Sequence, residues 1–447
     1  MNDYMALWRI LMSHFDLTIS PQWLTSKEIT QLAFESGFQK RRSGKINPVD
    51  FFNHFCLESV QGTVSYNDLA SKIQAQTGIS ASRQAYHQRM GPSCVAFFTK
   101  ILFFVMGHKL GNKTYNSVFA PGTYKRILLQ DSTVLRLPSR LFEVYSGVSN
   151  AHKSVCNARV QCVYDLVSQK FIYFSIDSYS KNDLSVTYDI PAQPGDLIIR
   201  DRGYFTVGVM TQLEEQASAH SVFRYKHKTP FYDPESGNEI DLFKYLSTHG
   251  SIDKVVLAGK EKQHRLRLLA APVPEEVANQ RRMKAKKESS SKKPSKELLQ
   301  LMSWSIFVTT IMDPDITFYC IEHLYQLRWR IENIFKTWKS NFNFDKIHNV
   351  SSEQLTVLLM ARLVMITVSY QYLYRPLSRL ISEKTSKTLS LMKLMRYITK
   401  NISVIGKYMN PDQISSKDFK ALVLYCTYDT RKRQNFMEHF SKTLAFL

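Results

Sequence analysis

Residues 325–339, YQLRWRIENIFKTWK, read as an amphipathic helix whose two faces carry unlike chemistry. At about 100° per residue, Tyr325, Arg328, Glu332, Lys336 and Lys339 fall within a sector of roughly 80°, with Trp329 beside them. Leu324, Leu327, Ile331, Ile334, Phe335 and Trp338 fill the opposite stripe, the arrangement that lets a helix pack on a core. One side is tethered and the other presents a carboxylate among cations. Neighbouring cations depress a carboxylate's pKa, so Glu332 is poorly set for general acid–base work and well set for holding a metal beside phosphates. A solvated face of ion pairs shows the same charge spacing. Such a face carries few rings, whereas Tyr325 and Trp329 both lie on the expected wet side.

A chain of 447 residues, 44% hydrophobic, can bury more than one core. Its formal charge of +21 suits a polyanion, nucleic acid being the commonest large one; a cationic ribosomal or membrane-surface protein would share that charge. The six cysteines, Cys56, Cys94, Cys156, Cys162, Cys320 and Cys426, form no Cys-x-x-Cys pair and read as buried thiols in a reducing compartment. No basic stretch followed by an apolar run and a small-residue cleavage site opens the chain, so the expectation is a cytoplasmic protein. The most apolar windows, 97–106 and 355–374, are broken by Lys100 and Arg362 and read as core helices, with no membrane partner expected.

Residues 1–115 show helical spacing. Within 65–90, one helix carrying Leu69, Ala70 and Ile73, a Thr77-Gly78-Ile79 turn and a second helix with Arg83, Tyr86, His87 and Arg89 fit either a helix-turn-helix or an ordinary helical hairpin. Lys40, Arg41, Arg42 and Lys45 add charge for phosphates. From about 120 the texture changes to strands. Asp131 sits inside RILLQDSTVLRLP, two further strands lie in ARVQCVYDLVSQKFIYFSID, and GDLIIRDRGYF ends a strand at Asp201 before a helix over 206–219. This is α/β in character. Residues 221–312 add strands around 221–229, 253–259, 264–272 and 304–312, with a Lys/Arg/Ser-rich run at 281–296 expected to be a solvated loop or a basic arm. Asp315 is expected to begin the helix carrying Glu332, and the chain reads as helical beyond Phe344.

Asp131, Asp201 and Glu332 occupy positions from which strands and a helix aim carboxylates at one place. Three carboxylates brought together repel unless cations neutralise them. Oxygen ligands and substrate phosphates suit Mg²⁺, and two such ions about 4 Å apart serve in-line displacement at phosphorus. The chemistry implied is phosphodiester cleavage or transfer.

These residues resemble the DDE transposases of bacterial insertion sequences, in the insertion-sequence-four type with the Tyr-x2-Arg-x3-Glu-x6-Lys signature. Tyr325, Arg328, Glu332 and Lys339 match it without a gap, and the motifs beginning Asp131-Ser132-Thr133 and Asp201-Arg202-Gly203-Tyr204 fit the two earlier boxes in order. The resemblance covers about 120–345. It implies a ribonuclease-H-like core, 120–220 and 313–350, interrupted by a β-rich insertion at 221–312, with a helical DNA-binding region at 1–115 and a helical C-terminal region at 351–447. It further implies that Asp131, Asp201 and Glu332 coordinate two Mg²⁺ ions, for which Mn²⁺ can substitute. Arg328, Lys339 and Lys336 would grip transposon-end phosphates and Tyr325 would hydrogen-bond one. Trp329 and Trp304 would stack on a base extruded at a hairpin end. The activity implied is cut-and-paste transposition on double-stranded DNA, at inverted terminal repeats and then target DNA, by a synaptic homodimer. The rivals are a metal-dependent nuclease on the same fold that never joins, and an inactive DNA-binding relative.

Overall fold

The computed structural model describes residues 24–41, 44–107, 124–147, 155–186, 189–259, 261, 263–288, 293–401, 408, 414–428, 440, 442 and 443. Arg42, the ends of the 1–115 and 351–447 regions, and 289–292 of the basic run lie outside them.

The described chain opens with helices α1 (Ser26–Glu35), α2 (Pro48–Gln61), α3 (Tyr66–Thr77), α4 (Arg83–Gln88) and α5 (Pro92–Gly107). Their starts follow from capping side chains. Thr25 and Glu28 form a capping box, Asn47 caps α2 with Pro48 next to it, and Ser65 and Ser82 cap α3 and α4. Gly78 ends α3 in the left-handed region at φ 74°, its N–H donating to the Gln74 carbonyl, a conformation glycine adopts without a Cβ clash. The second helix of the 65–90 pair is only six residues long, and it is less polar in place than its sequence suggests. Tyr86 is buried against the Phe51 ring and Arg89 donates to the Phe38 carbonyl at 2.7 Å, leaving Arg83 and His87 exposed.

The strands and the helices among them are β1 (Arg126–Arg136), β2 (Asn157–Asp165), β3 (Lys170–Ser178), β4 (Asp196–Arg200), α6 (Val207–Ala217), β5 (His220–Arg224), β6 (Phe231–Tyr232), α7 (Leu242–His249), β7 (Ile252–Ala258), β8 (His264–Pro272), α8 (Glu275–Glu288), α9 (Lys296–Leu301) and β9 (Trp304–Thr309). They form one nine-stranded sheet in the order β3-β2-β1-β4-β5-β9-β8-β7-β6. β1 runs antiparallel to β2 and parallel to β4, and β5 continues parallel to β4 before β9 reverses. Alternation along the strands divides the interior between the two faces. Ile127, Leu129, Leu197, Ile199 and Val222 belong to one apolar cluster with the N-terminal helices, and Leu128, Ile198 and Phe223 to a second with α6 and α7.

The 221–312 segment is mixed rather than purely stranded, and its strands extend the main sheet. The run expected as a loop at 281–296 is helical through Glu288 and again from Lys296. Apolar periodicity could not reveal α8, because Ala278 is its only buried residue. Guanidinium bonds hold it instead. Arg281 donates to the Trp304 carbonyl and the Ser305 hydroxyl, both at 3.1 Å, and Arg282 to the Leu299 carbonyl at 3.0 Å and the Ser303 hydroxyl at 2.5 Å.

The chain continues through α10 (Phe318–Gln326), α11 (Trp329–Asn341), α12 (Ser352–Val368), a π-helical turn (Ser369–Tyr374), α13 (Arg375–Lys384), α14 (Leu391–Lys400) and α15 (Ser416–Cys426). α10 starts at Phe318 after Thr317, not at Asp315, where residues 313–315 form a turn closed by the Asp313 carboxylate on the Asp315 N–H. Ser352–Lys384 is long and apolar enough to cross a bilayer, but 89% of its most apolar window is buried inside the protein. Arg362 within it is fully buried and donates to the carbonyls of Ser59, Gly62, Phe344 and Lys346. It joins α2, the end of α11 and α12 by satisfying backbone oxygens that apolar side chains could not.

Candidate active site

Strand register brings the first two carboxylates together. Gln130 pairs with Arg200 across the parallel β1–β4 ladder, so Asp131, one residue further along β1, stands beside Asp201, the residue after β4 ends. Glu332 arrives from α11, which packs on β1. Leu324, Leu327, Ile331, Ile334 and Trp338 are all fully buried, as their shared stripe requires. Trp338 fixes the helix most firmly, its indole ringed by Phe171, Phe174, Phe335 and Phe344 at centroid distances of 5.1 to 5.8 Å.

The motif helix is not continuous. α10 ends at Gln326, and Leu327 and Arg328 form a tighter joint in which N–H groups reach back three residues, from Leu327 to Leu324 and from Arg328 to Tyr325. Tyr325, expected on the wet side, is 6% exposed and packs on Phe307 at 5.4 Å. Its hydroxyl faces Asp201 Oδ1 at 3.4 Å, and burial, with the Asp201 carboxylate adding, pushes its pKa up to about 12. The packing surface of Phe307 and the Arg224 guanidinium, 5.4 Å from the Tyr325 ring, draws this ring inward. Trp329 does lie outside, 56% exposed, with Lys336 Nζ 5.1 Å from its ring centroid.

A cavity of about 340 Å³ is lined by Asp131, Ser132, Asp201, Arg328, Glu332, Phe335, Lys336 and Lys339. Arg328 stands among its carboxylates, Nη2 at 2.5 Å from Glu332 Oε1 and Nη1 at 3.4 Å from Asp131 Oδ2. Its Nε is buried with no hydrogen-bond partner among the described residues. Lys339 donates to the Val134 carbonyl of β1 at 3.3 Å. Burial pushes the Asp131 carboxyl up to about 7; the Ser132 N–H and Arg328 pull it down, while Asp201 and Glu332 add to the rise.

An all-oxygen donor set fits a hard divalent cation. Among the described residues no group of three or more His, Cys, Asp or Glu side chains is arranged to hold a metal as it stands; the Arg328 guanidinium bridges Asp131 and Glu332.

Trp304 is not in this cavity. Its indole N–H donates to the Gly250 carbonyl at 2.7 Å, and it lines a neighbouring cleft with Arg202, Arg224 and Arg281. Sequence reasoning passed over Arg224, Phe335 as a cavity wall, and Asp183, which accepts a bond from Ser132 at 3.1 Å. No spacing or composition sets these three apart in a single chain.

Residues 123–368, more than half of the chain, match the family described as Transposase DDE domain. The protein therefore belongs to the DDE transposases, enzymes that act on DNA and use divalent metal ions. Its curated relatives are of the bacterial insertion-sequence kind. The transposase for insertion sequence element IS231F of Bacillus thuringiensis subsp. israelensis is 26% identical over 421 residues, covering 89% of this chain and 87% of that one. That for IS231C of Bacillus thuringiensis subsp. berliner is 28% identical over 408 residues, covering 86% and 84%. That for IS1151 of Clostridium perfringens is 26% identical over 403 residues, covering 83% and 84%. Among solved structures, the piggyBac transposase synaptic complex with hairpin DNA aligns over 96% of this chain and 87% of its own, at 9% identity and a TM-score of 0.46.

Proposed function

We propose that the protein catalyses cut-and-paste transposition of an insertion sequence, with Asp131, Asp201 and Glu332 holding two Mg²⁺ ions, for which Mn²⁺ can substitute. The observation that carries the reading is the convergence of carboxylates from two adjacent parallel strands and one helix on a cavity walled by Arg328, Lys336 and Lys339. The order β3-β2-β1-β4-β5, antiparallel up to β1 and parallel beyond it, supports a ribonuclease-H-like core that takes in β5, so that the insertion read at 221–312 begins after Arg224. When bound, such ions supply an activated attacking oxygen and stabilise the leaving one.

The chain's own groups bind and orient the DNA. Lys336, Lys339 and Arg328 neutralise end phosphates, and Tyr325, buried behind Asp201, steadies that carboxylate in place of the exposed phosphate contact expected of it. Exposed Trp329 stacks on a base extruded at a hairpinned end; Trp304 serves as the second ring in the adjoining basic cleft. The N-terminal helices bind the inverted terminal repeats, the C-terminal helices contribute the contact of a synaptic homodimer, and the reaction takes place in the cytoplasm. The net charge of +21 supports a DNA partner for the whole chain.

Purified protein with Mg²⁺ is expected to release a labelled fragment from DNA carrying the element's terminal repeats, while Glu332→Gln binds those ends without cutting. Cleavage by Glu332→Gln would sink the metal-site assignment. Ends that are cut and never joined to target DNA would favour the nuclease.

A further inference from the structure

A fourth acid is tied to both strand-borne carboxylates without lining the cavity. Asp183 opens the short turn Asp183–Val186 between β3 and β4, and this turn packs on Arg202–Tyr204, the turn that follows Asp201. Its Oδ1 accepts bonds from Arg159 Nη1 at 2.5 Å, Gln161 Nε2 at 2.9 Å and Ser132 Oγ at 3.1 Å. Fully buried Gln161 in turn accepts the hydroxyl of buried Tyr204 at 2.7 Å. Burial pushes the Asp183 carboxyl up, but the bonds from Arg159 and Gln161 outweigh it and hold the group below its ordinary value.

Both ends of this network stop at the cavity. Ser132 follows Asp131 and donates its N–H to Asp131 Oδ1 at 2.8 Å. Tyr204 donates its N–H to the Asp201 carbonyl at 3.0 Å. One half-buried carboxylate thus ties together a side chain beside each aspartate through the bonds to Ser132 and Gln161, although Arg159 Nε is left without a partner among the described residues. Groups standing behind metal-binding side chains in this way set their orientation.

We propose that Asp183 is a positioning residue for Asp131 and Asp201, holding Ser132 directly and Tyr204 through Gln161 so that both aspartates present their oxygens to the cavity in fixed relation. The inference rests on the reading of Asp131, Asp201 and Glu332 as metal ligands. Without Asp183, Ser132 Oγ and Gln161 Nε2 lose their shared acceptor, Tyr204 loses a partner held in place, and the side chains of Asp131 and Asp201 lose their common support.

The test is Mn²⁺ binding to the full-length, metal-free protein, read from the electron paramagnetic resonance signal of free Mn²⁺, beside the Mg²⁺ dependence of end cleavage. Glu332→Gln serves as the control for the ligand assignment. Asp183→Asn, which keeps the size and an acceptor oxygen, is expected to weaken Mn²⁺ binding about tenfold, within the 10- to 100-fold range of such supporting residues, and to raise the Mg²⁺ concentration for half-maximal cleavage by a similar factor. Tyr204→Phe and Ser132→Ala, each removing one hydroxyl from the network, give smaller shifts in the same direction, and adding Tyr204→Phe to Asp183→Asn gives no further loss. Wild-type Mn²⁺ affinity in Asp183→Asn, or effects of Asp183→Asn and Tyr204→Phe that simply multiply, would overturn the proposal while leaving the ligand assignment intact. Should Asp183→Asn not fold, the two hydroxyl-deletion variants decide, and wild-type Mn²⁺ affinity in both overturns it. Unchanged Mn²⁺ binding in Glu332→Gln would overturn the ligand assignment, and this inference with it.

Discussion

Asp131→Asn is expected to stabilise the metal-free protein while abolishing cleavage. Burial pushes the folded-state carboxyl up to about 7, against about 3.9 in an unfolded chain. Between those values the native state keeps a proton that the unfolded chain has released, so raising the pH favours unfolding. The destabilisation is absent below about pH 4 and complete above about pH 7. At 1.36 kcal/mol per pKa unit the interval corresponds to about 4 kcal/mol. The side chain is 19% exposed, and screening by water reduces the expected effect to about 2 kcal/mol at pH 8. Asparagine keeps an acceptor for the Ser132 N–H and gives up only the Arg328 contact at 3.4 Å. With an unfolding entropy of about 2 cal/mol/K per residue, 2 kcal/mol is about 2 °C for a chain of this length. Calorimetry in EDTA should place the Asp131→Asn melting temperature about 2 °C above the wild type at pH 8, with the gap closing toward pH 4. Mg²⁺ should raise the wild type and leave the variant unmoved. A variant that melts at or below the wild type at pH 8, or a gap that widens on acidification, would refute the reasoning.

Arg328→Gln should act in the opposite sense, because Glu332 and Asp131 lose a cation that is 14% exposed; stability in EDTA should fall by about 1.5 to 3 kcal/mol and Mg²⁺ should recover most of it, whereas wild-type melting in EDTA would contradict its role as internal counter-ion. Arg362→Met removes a guanidinium that serves four carbonyls, and the urea midpoint should drop by the equivalent of about 3 kcal/mol or more; a loss under about 1 kcal/mol would mean that those oxygens find other partners. Trp329→Ala, at an exposed position, should change stability by less than about 0.5 kcal/mol and slow hairpin formation more than the first nick; equal slowing of both would rule out stacking.

Much of the architecture was legible because apolar spacing maps directly onto packing. The stripe from Leu324 to Trp338 is buried residue for residue, and the runs around Asp131 and Asp201 are the neighbouring strands β1 and β4. Other features depend on partners distant in sequence. α8 is held by its own Arg281 and Arg282, which donate to Leu299, Ser303, Trp304 and Ser305, so no apolar stripe announces it. The joint at Leu327–Arg328 consists of backbone bonds that side-chain spacing does not report. Tyr325 looks amphipathic in isolation and turns inward because Phe307 and Arg224 wait for it. Tyr86 and Arg89 likewise read as a polar helix surface until Phe51 and Phe38 are placed beside them. Asp183 had no signal at all, since its meaning lies in Arg159, Gln161 and Ser132, which reach it from two strands.

The strands of 221–312 are hydrogen-bonded into the same sheet as β1 and β4, with β5 flanked by β4 on one side and β9 on the other. That continuity bears on how copies of such a gene decay. A deletion that removed residues 225–312 would strip β9 from β5 and leave Val222 and Phe223 along an open strand edge, a template for pairing with other chains. A chain shortened in this way is expected to aggregate through that edge rather than to fold as a smaller version of the protein.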